Sequence, residues 1–171
     1  MKNTNFSRCV KLWGAALVLV CGVAFTGCKP GVDKPALPAG VKELSADSML
    51  IGDWKSEYGE IFTITTDSLK NGGSWGDSYA GNNLLIGEIT QDSGYLYIKY
   101  TRAMNPDYSY SEDAADVGKW YALSYKNLKP DTVDLAGAYG NVSATNTIEE
   151  AITEFTVENG YFASYSPCVK Q

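Results

Sequence analysis

The chain has 171 residues, with 20 acidic against 14 basic side chains, a formal net charge of −6 and no histidine. An acidic chain without a basic patch repels nucleic acid, and a chain without histidine supports neither Ser-His-Asp nor Cys-His catalysis nor a histidine-ligated zinc. Its length fits one domain, and a hydrophobic content of 44% with 12 Tyr and 4 Trp is enough to build a real core.

Lys2, Arg8 and Lys11 flank or precede an uncharged run of 16 residues, Leu12–Gly27. A basic start, a short apolar stretch and small residues at its end are the marks of a secretory signal, and the run falls short of the roughly 20 residues that a membrane-crossing helix needs. It closes on Phe25-Thr26-Gly27-Cys28. Small residues directly before a cysteine resemble the lipobox of bacterial lipoproteins, and Phe25 in place of the usual leucine resembles its spirochaetal form. That resemblance implies cleavage after Gly27, lipid on Cys28, attachment to the membrane through that lipid, and a place on the cell envelope, at the outer membrane. An ordinary secreted protein cut near Ala24 or Gly27 is the alternative. With Cys9 and Cys21 in the signal and Cys28 carrying lipid, Cys168 is left without a disulfide partner, so stability has to come from packing.

Residues 28–46 contain Pro30, Pro35 and Pro38 and show no hydrophobic period, which reads as the lipidated N-terminus and a flexible tether. The domain is then expected over residues 47–171. From Met49 onward the chain alternates short runs rich in Tyr, Ile, Thr, Val and Trp with Gly, Asn, Asp and Ser, the pattern of successive strands and tight turns. Strands are predicted at Met49–Ser56, Glu60–Thr66, Ser78–Gly81, Leu84–Thr90, Tyr95–Arg102, Gly118–Tyr125, Thr132–Tyr139 and Phe155–Tyr165. Asn71-Gly72-Gly73 and Asp92-Ser93-Gly94 read as hairpin turns. Thr147 followed by Glu150 fits a capping box, and Ile148, Ala151, Ile152 and Phe155 have helical spacing, so a short helix is predicted before the last strand. The fold class is therefore all-β, an antiparallel eight-stranded barrel with one short helix.

Leu50-Ile51-Gly52-Asp53-Trp54, followed by Tyr58-Gly59-Glu60-Ile61-Phe62-Thr63-Ile64-Thr65, resembles the first hairpin of calycin barrels, the lipocalin and avidin group. That resemblance implies an indole closing one end of the barrel with a basic side chain packed on it. No such residue stands out near the C-terminus, and Arg102 is the substitute considered. A wider resemblance runs through Gly52–Gly59, Ser93–Arg102, Val117–Lys126, Ile148–Ile152 and Glu154–Phe162, blocks similar to a lipoprotein family of treponemes. It implies location and fold rather than an activity.

Two sets of candidate binding residues follow. Tyr95, Tyr97 and Tyr121, with Trp54 and Trp120, stand on alternating strands where they would line a pocket for a small, partly apolar ligand if they face inward; tyrosine covering a half-exposed sheet, or side chains filling the barrel, are the alternatives. The loop Asn105–Asp116 carries Tyr108, Tyr110, Glu112 and Asp113 without a basic residue and is the candidate for a host or envelope protein partner. It lacks the spacing of a calcium-binding EF-hand loop, and no metal or cofactor is expected. No phosphate-binding loop, dinucleotide fingerprint, CxxC pair or nucleophile elbow occurs, so the expected function is binding rather than catalysis.

Overall fold

The computed structural model describes residues 36–171; the predicted signal, the lipidation site Cys28 and the first part of the tether lie outside the described residues. Ten strands and one helix follow in chain order: β1 (Lys42–Glu43), β2 (Gly52–Ser56), β3 (Glu60–Ile64), β4 (Ser68–Gly73), β5 (Gly76–Thr90), β6 (Ser93–Met104), β7 (Tyr110–Ser111), β8 (Trp120–Lys126), β9 (Thr132–Gly137), α1 (Ile148–Glu154) and β10 (Ser166–Lys170). Every pairing is antiparallel. Strands β2, β3, β4, β5, β6, β8, β9 and β10 each pair with the next, and β10 pairs back onto β2, closing an eight-stranded up-and-down barrel. Closure leaves no free edge in the ring. The short β1 and β7 add to the outside of β5 and β6.

Strand alternation sorts the side chains. Trp54, Phe62, Ile64, Leu69, Leu96, Ile98, Leu123, Leu135 and Cys168 point inward into one cluster and are almost wholly buried. A second cluster forms on the outer wall, where α1 and the chain after it cover β6, β8 and β9. Ala122 and Ala136 there are small enough to let Ala151 and Phe155 approach. The helix opens on the predicted capping box: the Thr147 hydroxyl accepts from the Glu150 amide while the Glu150 carboxylate accepts from the Thr147 amide.

Three sequence expectations change. Ser78–Gly81 and Leu84–Thr90 are one strand of 15 residues, bent by register shifts, with Asn83 at φ 53°. Asn71-Gly72-Gly73 is not a turn but the end of β4, a strand whose sequence Ser-Leu-Lys-Asn-Gly-Gly carries almost no β-propensity and is held by its neighbours. The last strand is Ser166–Lys170. Phe155–Tyr165 imitates a strand through its aromatic residues, but Asn159 donates to the Thr153 and Glu154 carbonyls at the helix end and Gly160 turns the chain at φ 84°. Of the predicted tether, Lys42 and Glu43 pair with Ile86 and Leu85, and Leu44 is buried.

At one end of the barrel Trp54 is fully buried, and its Nε1–H donates to the Leu50 carbonyl at 2.8 Å. The cation packed on it is Lys170, whose Nζ lies 5.0 Å from the ring centroid and donates to the Met49 carbonyl at 3.2 Å. Arg102 is elsewhere, donating to the Tyr110 carbonyl at 2.7 Å. Gly52 is required beneath Lys170, because a Cβ there would stand 2.8 Å from Lys170 Cε, on backbone at φ 138°. Trp54→Ala should cost about 3–5 kcal/mol, the range for removing a large buried side chain. Lys170→Ala should cost about 0.5–1 kcal/mol, the range for a cation over an indole. Denaturant unfolding followed by circular dichroism measures both.

Candidate functional site

The two ends of the barrel differ in chemistry. Around Trp54, Phe62, Ile98 and Leu123 the interior is apolar. At the other end, where β2, β4, β6 and β9 finish and β3, β5, β8 and β10 begin, the inward positions include Ser56, Glu60, Asn71, Tyr79, Tyr100, Tyr121 and Ser166, and Arg102, next after Tyr100 in the β6 alternation, has its Nε buried without a partner. Tyr100 and Tyr121 stack with centroids 4.8 Å apart, and Tyr79 meets their edges at 6.4 and 5.3 Å. The Tyr121 hydroxyl donates to the Ala138 carbonyl at 3.0 Å. Gly137 makes room for these phenols: a Cβ there would lie 2.5 Å from the Tyr121 oxygen and 3.4 Å from that of Tyr79. Ser166 donates to the Glu60 carboxylate at 3.0 Å.

Asn71 is 3% exposed, and its Nδ2 has no hydrogen-bond partner. It sits opposite Phe62 on β3, at the register shift between Lys70 and Gly72. A buried amide left unpaired costs on the order of 1–3 kcal/mol, so this donor is out of place unless something accepts from it. Over the same end, β7 folds back onto β6 and holds the Asn105–Asp116 loop in place; Asn105 Nδ2 donates to the Ser109 and Ser111 hydroxyls. Tyr110 thereby comes within electrostatic reach of Glu60 and of the three inner phenols.

Burial dominates the ionisation of this end. It pushes the Tyr79, Tyr100 and Tyr121 phenols well up, with neighbouring phenols and acidic groups adding to it. Cys168 is pushed up to about 12 by burial, with Glu60 and Asp134 adding, and its thiol donates to the Ser166 carbonyl at 3.2 Å. It stays a thiol at neutral pH.

The predicted site residues part company in the fold. Tyr121 faces the lumen, while Tyr95 and Tyr97 face the outer wall. The register settles this, since Tyr97 stands opposite Ala122 and Ile98 opposite Tyr121, so the three tyrosines cannot share one face. On that outer side the Tyr95 hydroxyl accepts from the Val157 amide at 3.0 Å, and its ring packs on Phe162. Trp120 also belongs to the outer cluster, its backbone bridged to Thr145. Trp54 is the plug at the opposite end. Tyr108, Glu112 and Asp113 are exposed on the loop, and Tyr110 is half-buried. Sequence reasoning passed over Tyr79, Tyr100, Glu60 and Asn71. Tyr100 was recoverable from the alternation Leu96, Ile98, Tyr100, and Glu60 from Glu60, Phe62, Ile64; Asn71 and Tyr79 depended on the unrecognised β4 and on β5 being a single strand.

Clefts open at the surface. One of about 540 Å³ lies among Tyr139, Gly140, Asn141, Glu154, Asn159 and Tyr161. Another, of about 270 Å³, lies at the Trp54 end between Leu44, Met49, Ile86 and Leu128. Among the described residues no three of His, Cys, Asp and Glu converge to hold a metal ion, and no helix is long and apolar enough to cross a membrane.

Fold and site together define a closed eight-stranded antiparallel β-barrel with buried aromatic clusters, apolar at one end and tyrosine-lined at the other. No protein-family model matches the chain, and no curated protein or solved structure matches it either.

The buried phenols predict alkaline sensitivity. Tyr125, inward at the Trp54 half, is pushed up to about 12 by burial, with Glu88 and Asp92 adding. A phenol whose folded pKa lies above its unfolded value of about 10 stabilises the fold fully below pH about 10. That contribution is lost as pH rises toward about 12. The denaturation midpoint should therefore hold up to pH about 9.5 and fall steadily above it. Tyrosinate absorbance of the buried set should appear together with loss of the circular dichroism signal.

Proposed function

We propose that this protein is a lipid-anchored binding protein of the cell envelope, without catalytic activity, whose barrel takes a small, partly apolar ligand at its tyrosine-lined end. The observation that carries the reading is Asn71: an amide donor, almost completely buried and without a partner, beside inward phenols and above an apolar interior. A site made of apolar walls and a few convergent polar groups suits a ligand with a hydrocarbon or ring body and one hydrogen-bond acceptor. The acceptor, a carbonyl or hydroxyl oxygen, takes the Asn71 N–H, and the body lies against Tyr79, Tyr100 and Tyr121.

Anchoring rests on the sequence: the basic start, the short apolar run and the small residues before Cys28. The outer membrane of a spirochaete is the location that this reading proposes, on the resemblance of Phe25-Thr26-Gly27-Cys28 to a spirochaetal lipobox.

Native mass spectrometry of the delipidated protein, purified from the cells that make it, tests the binding. The expected result is a retained small molecule on the wild-type chain and its loss from Asn71→Leu. That variant should be as stable as wild type or more so, because it deletes an unpaired buried donor. A clean ligand-free mass for the wild type would overturn the reading. Labelled palmitate should enter the wild-type chain and not Cys28→Ser.

A further inference from the structure

Four aromatic side chains are exposed among the described residues: Tyr58 at 68%, Trp75 at 59%, Tyr108 at 80% and Tyr139 at 86%. All four sit on connections at the same end of the barrel, those joining β2 to β3, β4 to β5, β6 to β8, and β9 to α1. The connections at the opposite end, 65–67, 91–92 and 127–131, carry none. The rim is assembled rather than scattered. A Cβ at Gly59 would lie 3.8 Å from the Trp75 ring, which also packs across Gly73. On the other side the Ser143 hydroxyl donates to Asp116, tying the β6–β8 connection to the segment that bears Tyr139.

Composition is one-sided too. Ser56–Glu60, Gly73–Asp77, Met104–Val117 and Tyr139–Ser143 are rich in Tyr, Trp, Ser, Gly and Asn. Asp116 and Asp77 are ion-paired with Lys119 and Lys70, each at 2.8 Å, which leaves Glu57, Asp107, Glu112 and Asp113 as the rim's exposed acids outside those ion pairs. Rigid aromatic residues among small polar ones give contact area at low conformational-entropy cost, the chemistry of antibody-like binding loops. With those four acids in excess of its paired charges, the rim favours a basic surface over an acidic one. Beside Tyr139, the cleft of about 540 Å³ has the Glu154 carboxylate and Asn141 in its wall, the fitting environment for one lysine or arginine side chain.

The chain reaches the barrel from the far side. β5 runs from the aromatic rim toward the Trp54 end, and β1 is antiparallel to it, with Gly40 beside Gly87, so the described residues just before β1 lie on the side away from the rim. We infer that the four-loop aromatic, acidic rim is a docking surface for a protein that presents a basic face, with a Lys or Arg side chain seated in the cleft beside Tyr139. The surface is separate from the buried Asn71 site and does not depend on a ligand there.

Site-specific photocrosslinking of the full chain, in the cells that make it, tests this. p-Benzoylphenylalanine replaces Tyr58, Trp75, Tyr108 or Tyr139 in turn, with Ile89 at the opposite end as the control. The expected result is one protein captured from all four rim positions and not from Ile89, with an excess of Lys and Arg in the peptides that carry the adducts. Capture should fall at least tenfold in a Glu57→Lys, Glu112→Lys, Asp113→Lys variant whose circular dichroism matches wild type, and should be unchanged in Asn71→Leu. Equal capture from Ile89, adducts on lipid or saccharide alone, an adducted surface without excess Lys and Arg, undiminished capture by the charge-reversed variant, or no adduct at all would each overturn the inference.

Discussion

The barrel closes where its first and last strands meet, and Trp54 and Lys170 face each other across that seam. The pairing of β10 with β2 is a contact between residues more than a hundred positions apart, so the loop-closure entropy it costs has to be met by what is buried there. The indole supplies most of it, with an area on the order of 150–250 Å² removed from water. Lys170 adds a cation over the ring and a hydrogen bond to the Met49 carbonyl, which also fixes the chain entering β2. Gly52 completes the arrangement by having no side chain where the lysine stem crosses. Three residue types at three positions thus set the register of the closing pair, and every other strand takes its place in the ring from that register.

Apolar side chains and the Tyr125 ring fill the Trp54 end, and most of the polar inward residues lie at the other end. Phenols tolerate this position because each ring packs as a hydrophobe while its hydroxyl finds an oxygen nearby, as Tyr121 does at Ala138. Asn71 departs from that rule. It follows Leu69 on a strand that the neighbours force into the sheet, and the register shift beside it removes the partner that a regular ladder would place opposite. An energetic cost retained at a buried position, next to aromatic groups, is what carries the binding reading.

Fold class, helix and capping box were legible in the sequence because they rest on local chemistry: turn residues, β-branched and aromatic runs, and a Thr-x-x-Glu start. β4 was not legible, since Ser68–Gly73 is a strand only through its neighbours. The true last strand was hidden by Phe155–Tyr165, whose aromatic residues serve the outer cluster instead of a ladder. Those two errors account for much of what the site reading missed. Without β4, Asn71 looked like a turn residue; without β10 at 166–170, Lys170 had no indole to cover, and Arg102 was considered in its place. Tyr95 and Tyr97 went to the wrong face because a hydrophobic outer wall under α1 gives both faces of β6 a core-like composition, which defeats alternation as a guide.

That double-sided burial also governs where the protein can meet anything else. β6, β8 and β9 are covered on the outside by α1 and residues 155–165, and on the inside by the core, so their surfaces are spent on stability. The connections at the barrel ends are the parts freed from packing, and they differ by end. At the Trp54 end they are short and polar, with Lys126 and Lys129 at the β8–β9 turn and the chain entering alongside. At the tyrosine end they carry the exposed rings and the acidic groups. The difference follows the strand order: with eight antiparallel strands in the ring, β2 starts and β10 finishes at the Trp54 end, so the long connections from β6 to β8 and from β9 to β10, the latter bearing α1, fall at the tyrosine end.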